Sequence, residues 1–143
     1  MNELNFSGNR VTGEVRLRVR YAETDQMGVV YYSNFLVWFE IGRVELLRQL
    51  GFDYKTMEID DDCFIPVVEA SCRYKAPARY DDDLIVATHV TGVRGAVLKF
   101  RYSVVRVSDQ LLLAEGETTH VVTDGKLIKR TLPEKYVQAL KGA

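Results

Sequence analysis

The chain has 143 residues, 47% hydrophobic and 27% charged, which is enough for one domain with a real core and too little for two. Its 19 basic and 20 acidic residues leave a net charge of −1, so no global field draws in nucleic acid. No apolar run reaches bilayer-crossing length, and residues 1–10 lack the basic and apolar blocks of a signal peptide, so the expectation is a cytoplasmic protein without membrane insertion.

Residues 1–143 are read as a single domain whose first twelve residues are flexible, with order beginning near Glu14. From there Val15, Leu17, Val19 and Tyr21 alternate with Glu14, Arg16, Arg18 and Arg20, the period-two pattern of a strand with one buried face. A loop centred on Asp25 and Gly28 follows. Ser33 or Asn34 then caps a helix running from Phe35 to Leu50, with Gly51 placed to stop it. This helix is apolar over most of its circumference and should be buried on several sides, leaving a polar strip near Glu40, Arg43, Glu45 and Arg48. Gly42 inside it predicts a close backbone approach.

Residues 52–64 read as a polar, acidic connection. Four further strands are predicted at about Ile65 to Ala76, Leu84 to Val93, Ala96 to Val107 and Leu111 to Thr123, with turn residues between them. In the third of these Leu98, Phe100, Tyr102 and Val104 share a face; in the fourth Ala114, Gly116 and Thr118 offer a low-relief face to a packed helix. Pro133 opens a short terminal helix. The order strand, long helix, four strands predicts an α+β fold in which a five-stranded antiparallel sheet curls around one central helix. The uncovered sheet edges predict a homodimer or homotetramer.

The Asp25 loop is the candidate site. A carboxylate held in a loop, followed by a helix whose opening N–H groups can receive developing negative charge, suits attack on a carbonyl. Other polar groups have plainer readings. His120 falls on the same strand face as Ala114 and Gly116, as an interior imidazole would, and His89 is structural or exposed. The runs Asp60-Asp-Asp62 and Asp81-Asp-Asp83 lack the spacing of a calcium loop and read as solvated turns, so no metal is expected. Cys63 and Cys72 have no metal-ligand spacing and read as reduced, packed thiols.

Arg18-Val19, four residues, Thr24-Asp25, then Gly28-Val-Val-Tyr-Tyr32 and the aromatic helix start Phe35, Trp38, Phe39-Glu40 resemble the active-site signature of the 4-hydroxybenzoyl-CoA thioesterase family. Tyr74-Lys-Ala-Pro77-Ala-Arg-Tyr80-Asp81-Asp and Gly116-Glu-Thr-Thr-His120-Val also resemble segments of that family, so the likeness covers most of the chain. It implies a hotdog fold and hydrolysis of an acyl-CoA thioester to free acid and CoA without a cofactor. Asp25 would be nucleophile or general base, and the Tyr32 backbone N–H would polarise the carbonyl. Gly28, Val29, Val30, Tyr31, Ser33 and Phe35 would meet the substrate, and Lys75, Arg94 and Lys99 would meet the CoA phosphates. The chain departs from relatives linked to the Tol-Pal system, which carry histidine where it has Tyr32, and from benzoyl-type relatives, which carry proline where it has Ser33. Two alternatives share the same pocket: hydrolysis of acyl groups on acyl carrier protein, and non-catalytic acyl-CoA binding.

Overall fold

Strict alternation of buried and wet side chains builds the sheet. The computed structural model describes residues 11–142 and contains strands β1 (Thr12–Arg18), β2 (Val67–Tyr74), β3 (Asp83–Arg94), β4 (Val97–Arg106) and β5 (Leu111–Val121). They lie in the order β1-β3-β4-β5-β2, every neighbouring pair antiparallel. Leu84, Val86, Thr88 and Val90 of β3 and Leu98, Phe100, Tyr102 and Val104 of β4 are buried, as expected of the latter four. Register breaks between Val90 and Gly92, Val104 and Val105, and Val67 and Glu69 add the local twist that curls a sheet.

Helix α1 (Asn34–Gln49) fills the concave face of that curl. Phe39 stacks on Tyr102 with ring centroids 4.4 Å apart and 5° between planes. A Cβ on Gly116 would come within 2.4 Å of the Phe39 ring, so the low-relief face read on β5 exists to admit this side chain. At Gly42 an added Cβ would stand 2.4 Å from Thr88 Oγ1, the close approach predicted for that glycine. The sheet thus meets the helix at positions where side chains had to be removed.

Several expectations need correction. The described strand β1 starts at Thr12, with Val11 O accepting the Val90 N–H at 2.9 Å, so order begins before Glu14; residues 1–10 lie outside the described residues. Tyr21 leaves the strand for a 3-10 turn, Tyr21–Glu23, and is exposed. Helix α1, expected to be buried on several sides, leaves the apolar Leu36, Val37 and Ile41 exposed outside its polar strip. Arg43, read as part of the polar strip, is buried. The connection at 52–64 holds a helix, α2 (Tyr54–Asp61), whose N-cap Asp53 accepts the Thr56 N–H at 2.8 Å. Only Met57 of α2 is fully buried, so its apolar period was too weak to read. The acidic runs are not merely solvated. Asp61 accepts from the Tyr136 hydroxyl of α3 (Glu134–Lys141), Asp62 accepts the Gly125 N–H at 2.8 Å, and Asp83 pairs with Arg16 of β1.

Candidate active site

The loop between β1 and α1 is closed on itself. Asp25 N–H donates to Val29 O at 2.8 Å and Gly28 N–H to Asp25 O at 3.0 Å, while Gly28 takes φ +82°, a conformation a side chain would resist. Oδ1 of the half-buried Asp25 accepts the N–H groups of Met27 at 2.8 Å and Val29 at 3.4 Å. This is an Asx turn, which fixes the side-chain rotamer. Among the described residues no protein donor engages Oδ2. One carboxylate oxygen is held and the other is available.

The loop is docked as well as closed. Val30 N–H donates to Ala78 O at 2.8 Å, and Val29 bridges to Arg79, so the segment after β2 becomes its neighbour. On the other side Tyr31 N–H donates to Glu23 O at 2.9 Å. Asn34, Phe35 and Leu36 donate to Tyr31, Tyr32 and Ser33 carbonyls, while among the described residues no protein acceptor takes the N–H of Tyr32 or Ser33. Those two amides are the helix-start donors left for an incoming oxygen. The Ser33 side chain makes no capping hydrogen bond and is exposed.

Beside these amides opens a cavity of about 340 Å³. Val29, Val30, Tyr32 and Phe35 line one wall and Tyr74, Lys75, Ala76, Pro77 and Ala78 the other. Tyr74 meets Phe35 edge-on, ring centroids 5.3 Å apart, and its hydroxyl donates to Tyr32 O at 3.0 Å. Burial, with Cys72 alongside, pushes the Tyr74 phenol up to about 12, so it stays a neutral donor. The Tyr31 phenol is likewise raised, first by its hydrogen bond to Tyr32 and lastly by the Asp25 charge.

Five of the residues read from sequence therefore converge: Val29, Val30, Tyr32, Phe35 and Lys75 share the cavity with Asp25 in the adjoining loop. Gly28 forms the tip of that loop, and Tyr31 stands exposed with its ring 4.7 Å from that of Tyr32. Arg94 and Lys99 are placed elsewhere in this chain. Lys99 lies level with Thr119, five residues along β4 from Val104, which is level with Ala114 and so with Tyr74. At about 3.3 Å per residue that is roughly 17 Å from the cavity wall. The far wall, Tyr74 and Ala76 to Ala78, was not read as a site from sequence, although the segment carried part of the resemblance. Glu23 was missed too; it is a buried carboxylate just before the loop.

A match to the model of the thioesterase-like superfamily runs over residues 19–140. The chain belongs to that superfamily. The acyl-CoA thioester hydrolase YbgC of Escherichia coli is 35% identical over 126 residues, covering 87% of this chain and 92% of its own. The Thermus thermophilus protein TT1821 is 40% identical with a TM-score of 0.84, covering 90% of this chain and 97% of its own. Slr0204 of Synechocystis, a 1,4-dihydroxy-2-naphthoyl-CoA thioesterase, is 27% identical with a TM-score of 0.84, covering 90% of this chain and 95% of its own. The hotdog architecture implied by the resemblance is present, and the protein is an enzyme of the thioester-hydrolase class.

The histidines stand away from this chemistry. His120 is wholly buried, its Nδ1 2.8 Å from Ile65 O and its Nε2 2.9 Å from Thr118 Oγ1. Burial drives its pKa down to about 4, aided by the Arg43 charge and opposed by the Ile65 carbonyl. His89 is half-buried in β3, opposite Thr12 and Arg101. Cys63 and Cys72 are free thiols. Among the described residues no three potential metal ligands cluster, and no helix is long and apolar enough to cross a membrane.

Because folding holds His120 neutral with a pKa below its unfolded value near 6.5, its contribution is complete above that value and drains away as pH falls toward about 4. Between pH 7 and pH 5 the loss should be roughly 2 kcal/mol. Urea unfolding at the two pH values measures it, and His120→Gln should show a correspondingly shallower loss; an equal loss in the variant would assign the dependence to other groups.

Proposed function

We propose that this enzyme hydrolyses acyl-CoA thioesters to a free carboxylic acid and CoA at the Asp25 loop. The observation that carries the reading is the pairing, in one closed loop, of a carboxylate with an unengaged oxygen and the unengaged Tyr32 N–H, both beside the cavity. The names of YbgC and Slr0204 support CoA as the carrier.

In this reading the acyl part enters the cavity and the thioester oxygen points at the Tyr32 N–H, with the Ser33 N–H next to it. Asp25 acts in one of two ways. As nucleophile, its free oxygen bonds to the carbonyl carbon, negative charge builds on the oxygen facing Tyr32, and the C–S bond breaks to release CoA thiolate. Water then cleaves the resulting mixed anhydride and restores the carboxylate. As general base, Asp25 takes a proton from water while that water attacks, and the same C–S bond breaks. Both routes keep electrons paired, use water as the only co-substrate and call on no cofactor. Thiolate is a good leaving group, so a dedicated acid is not needed. Lys75, at the cavity mouth and 3.9 Å from Glu115, is the cation we assign to the CoA phosphates. Gly28, Val29, Val30, Tyr31, Ser33 and Phe35 retain their proposed roles as loop and pocket contacts.

The same reading includes a homodimer. Strand β2 is an unpaired edge with Val67 and Val68 exposed, and Val37 and Ile41 form an uncovered strip on α1. A partner covering them could also bring its own Arg94 or Lys99 toward the cavity. Light scattering should give twice the chain mass or a multiple of it; a monomer at micromolar concentration would remove this part.

The test of the chemistry is thiol release from short, long and aromatic acyl-CoA esters, with Asp25→Asn alongside. Turnover should fall at least about a hundredfold in the variant while its melting curve is unchanged. Activity only on acyl carrier protein thioesters, or CoA binding without turnover, would replace the proposal by one of the two alternatives above.

A further inference from the structure

We propose that Glu23 is the positioning residue of the site: its buried carboxylate and its backbone carbonyl together set the spacing between Asp25 and the Tyr32 N–H. The inference rests on the thioesterase reading and adds to it a residue that touches neither substrate nor reacting atoms.

A carboxylate is rarely buried unless its oxygens are used, and Glu23 is 6% exposed. Oε1 accepts the Arg20 N–H at 2.8 Å. Oε2 accepts the Trp38 indole N–H at 3.1 Å and an N–H of the Arg20 guanidinium at 3.3 Å. Its backbone oxygen accepts the Tyr31 N–H and the Asn34 side-chain amide, each at 2.9 Å. A short turn needs only the first of these contacts, as its own capping box. Two of the others tie the turn to a different element, α1, at two levels: at its first residue through Asn34 and a turn deeper through Trp38. The Arg20 side chain is largely exposed, so its ion pair adds little; the buried indole bond is the one that solvent does not weaken.

Both reacting groups hang from this residue. Asp25 follows it by two positions, and the peptide carrying the Tyr32 N–H follows directly on the Tyr31 amide that Glu23 O holds. Everything between, from Thr24 to Val30, is a loop closed back on itself by the Thr24–Val30 bridge. Freed from Trp38, the turn can tilt against α1 and carry Asp25 away from the Tyr32 amide without unfolding either element. A shift of about 1 Å is enough to cost about a hundredfold in rate, whereas contacts to the nucleotide, made elsewhere, are untouched.

Glu23→Gln keeps the size of the side chain but turns an amide N–H toward the donors of one carboxylate oxygen, and Trp38→Phe removes the indole donor. The expected result for Glu23→Gln is a kcat lower by about ten- to a hundredfold with KM for acyl-CoA within about threefold of wild type. Trp38→Phe should lower kcat in the same way, and the double variant should be no worse than the poorer single one. Trp38 is the only tryptophan, so its emission should shift in Glu23→Gln while the melting curve stays cooperative. Deuterium exchange at residues 24–32 should accelerate in the same variant, and this arm is read whether or not any thioester is turned over. Wild-type turnover lost in Asp25→Asn but kept within twofold in Glu23→Gln would overturn the role of Glu23 alone. Equal turnover by wild type and Asp25→Asn would instead overturn the function proposed for Asp25. Unchanged exchange across the loop, or a raised KM with unchanged kcat, would also overturn the positioning role.

Discussion

The contact on which the rest of this structure depends is Phe39 against β4 and β5. Its ring lies flat on Tyr102 and occupies the space that a side chain at Gly116 would need. Because interiors are close-packed, a helix seated this way cannot slide or roll by much. Its first turn is therefore delivered to a definite place, next to the end of β2, where Phe35 meets Tyr74 and the cavity opens. The Tyr32 amide owes its position to a packing contact two turns away.

A second constraint is polar. Arg43 is buried on α1 with no carboxylate among its described ion-pair partners; its Nε donates to Tyr54 at 3.1 Å and a terminal nitrogen to Tyr102 at 3.4 Å. Tyr102 continues through Thr118 at 2.6 Å to His120 and the Ile65 carbonyl. Burial pushes the Tyr54 phenol up to about 12, so phenolic oxygens rather than anions solvate the guanidinium. The chain of bonds links α2, α1, β4, β5 and the segment before β2, and it leaves His120 neutral and occupied. An imidazole held neutral and bonded at both nitrogens is not placed to serve the cavity, which agrees with the proposal that Asp25 does.

What could be read from sequence follows from how local each signal is. The alternation of Leu98, Phe100, Tyr102 and Val104 survives because a strand face repeats every two residues whatever lies opposite. Gly42 and Gly116 were legible because a glycine in a regular element demands a close neighbour. The Asp25 loop was legible from its motif, as were Tyr32 and Phe35. The far wall of the cavity was not, because Ala78 reaches Val30 only through a backbone hydrogen bond between segments almost fifty residues apart. Glu23 was invisible for a different reason: in sequence it is one more acidic residue in a polar stretch, and only the distance to Trp38 shows it to be buried and bonded. The burial of Arg43 is not legible in sequence because a charged residue on a helix is normally wet. Arg94 and Lys99 stand out in the sequence by charge, and charge alone does not say how far along the sheet a residue lies from the cavity.

The central claim is that the Asp25 carboxylate and the Tyr32 amide act on one and the same carbonyl. A crystal structure of Asp25→Asn with an intact acyl-CoA tests it most directly. The account predicts the thioester oxygen about 2.7–3.1 Å from the Tyr32 N, the side chain at position 25 facing the carbonyl carbon, and the acyl group between Phe35 and Tyr74. A thioester bound away from the Tyr32 amide, or with its carbonyl turned from position 25, would contradict it.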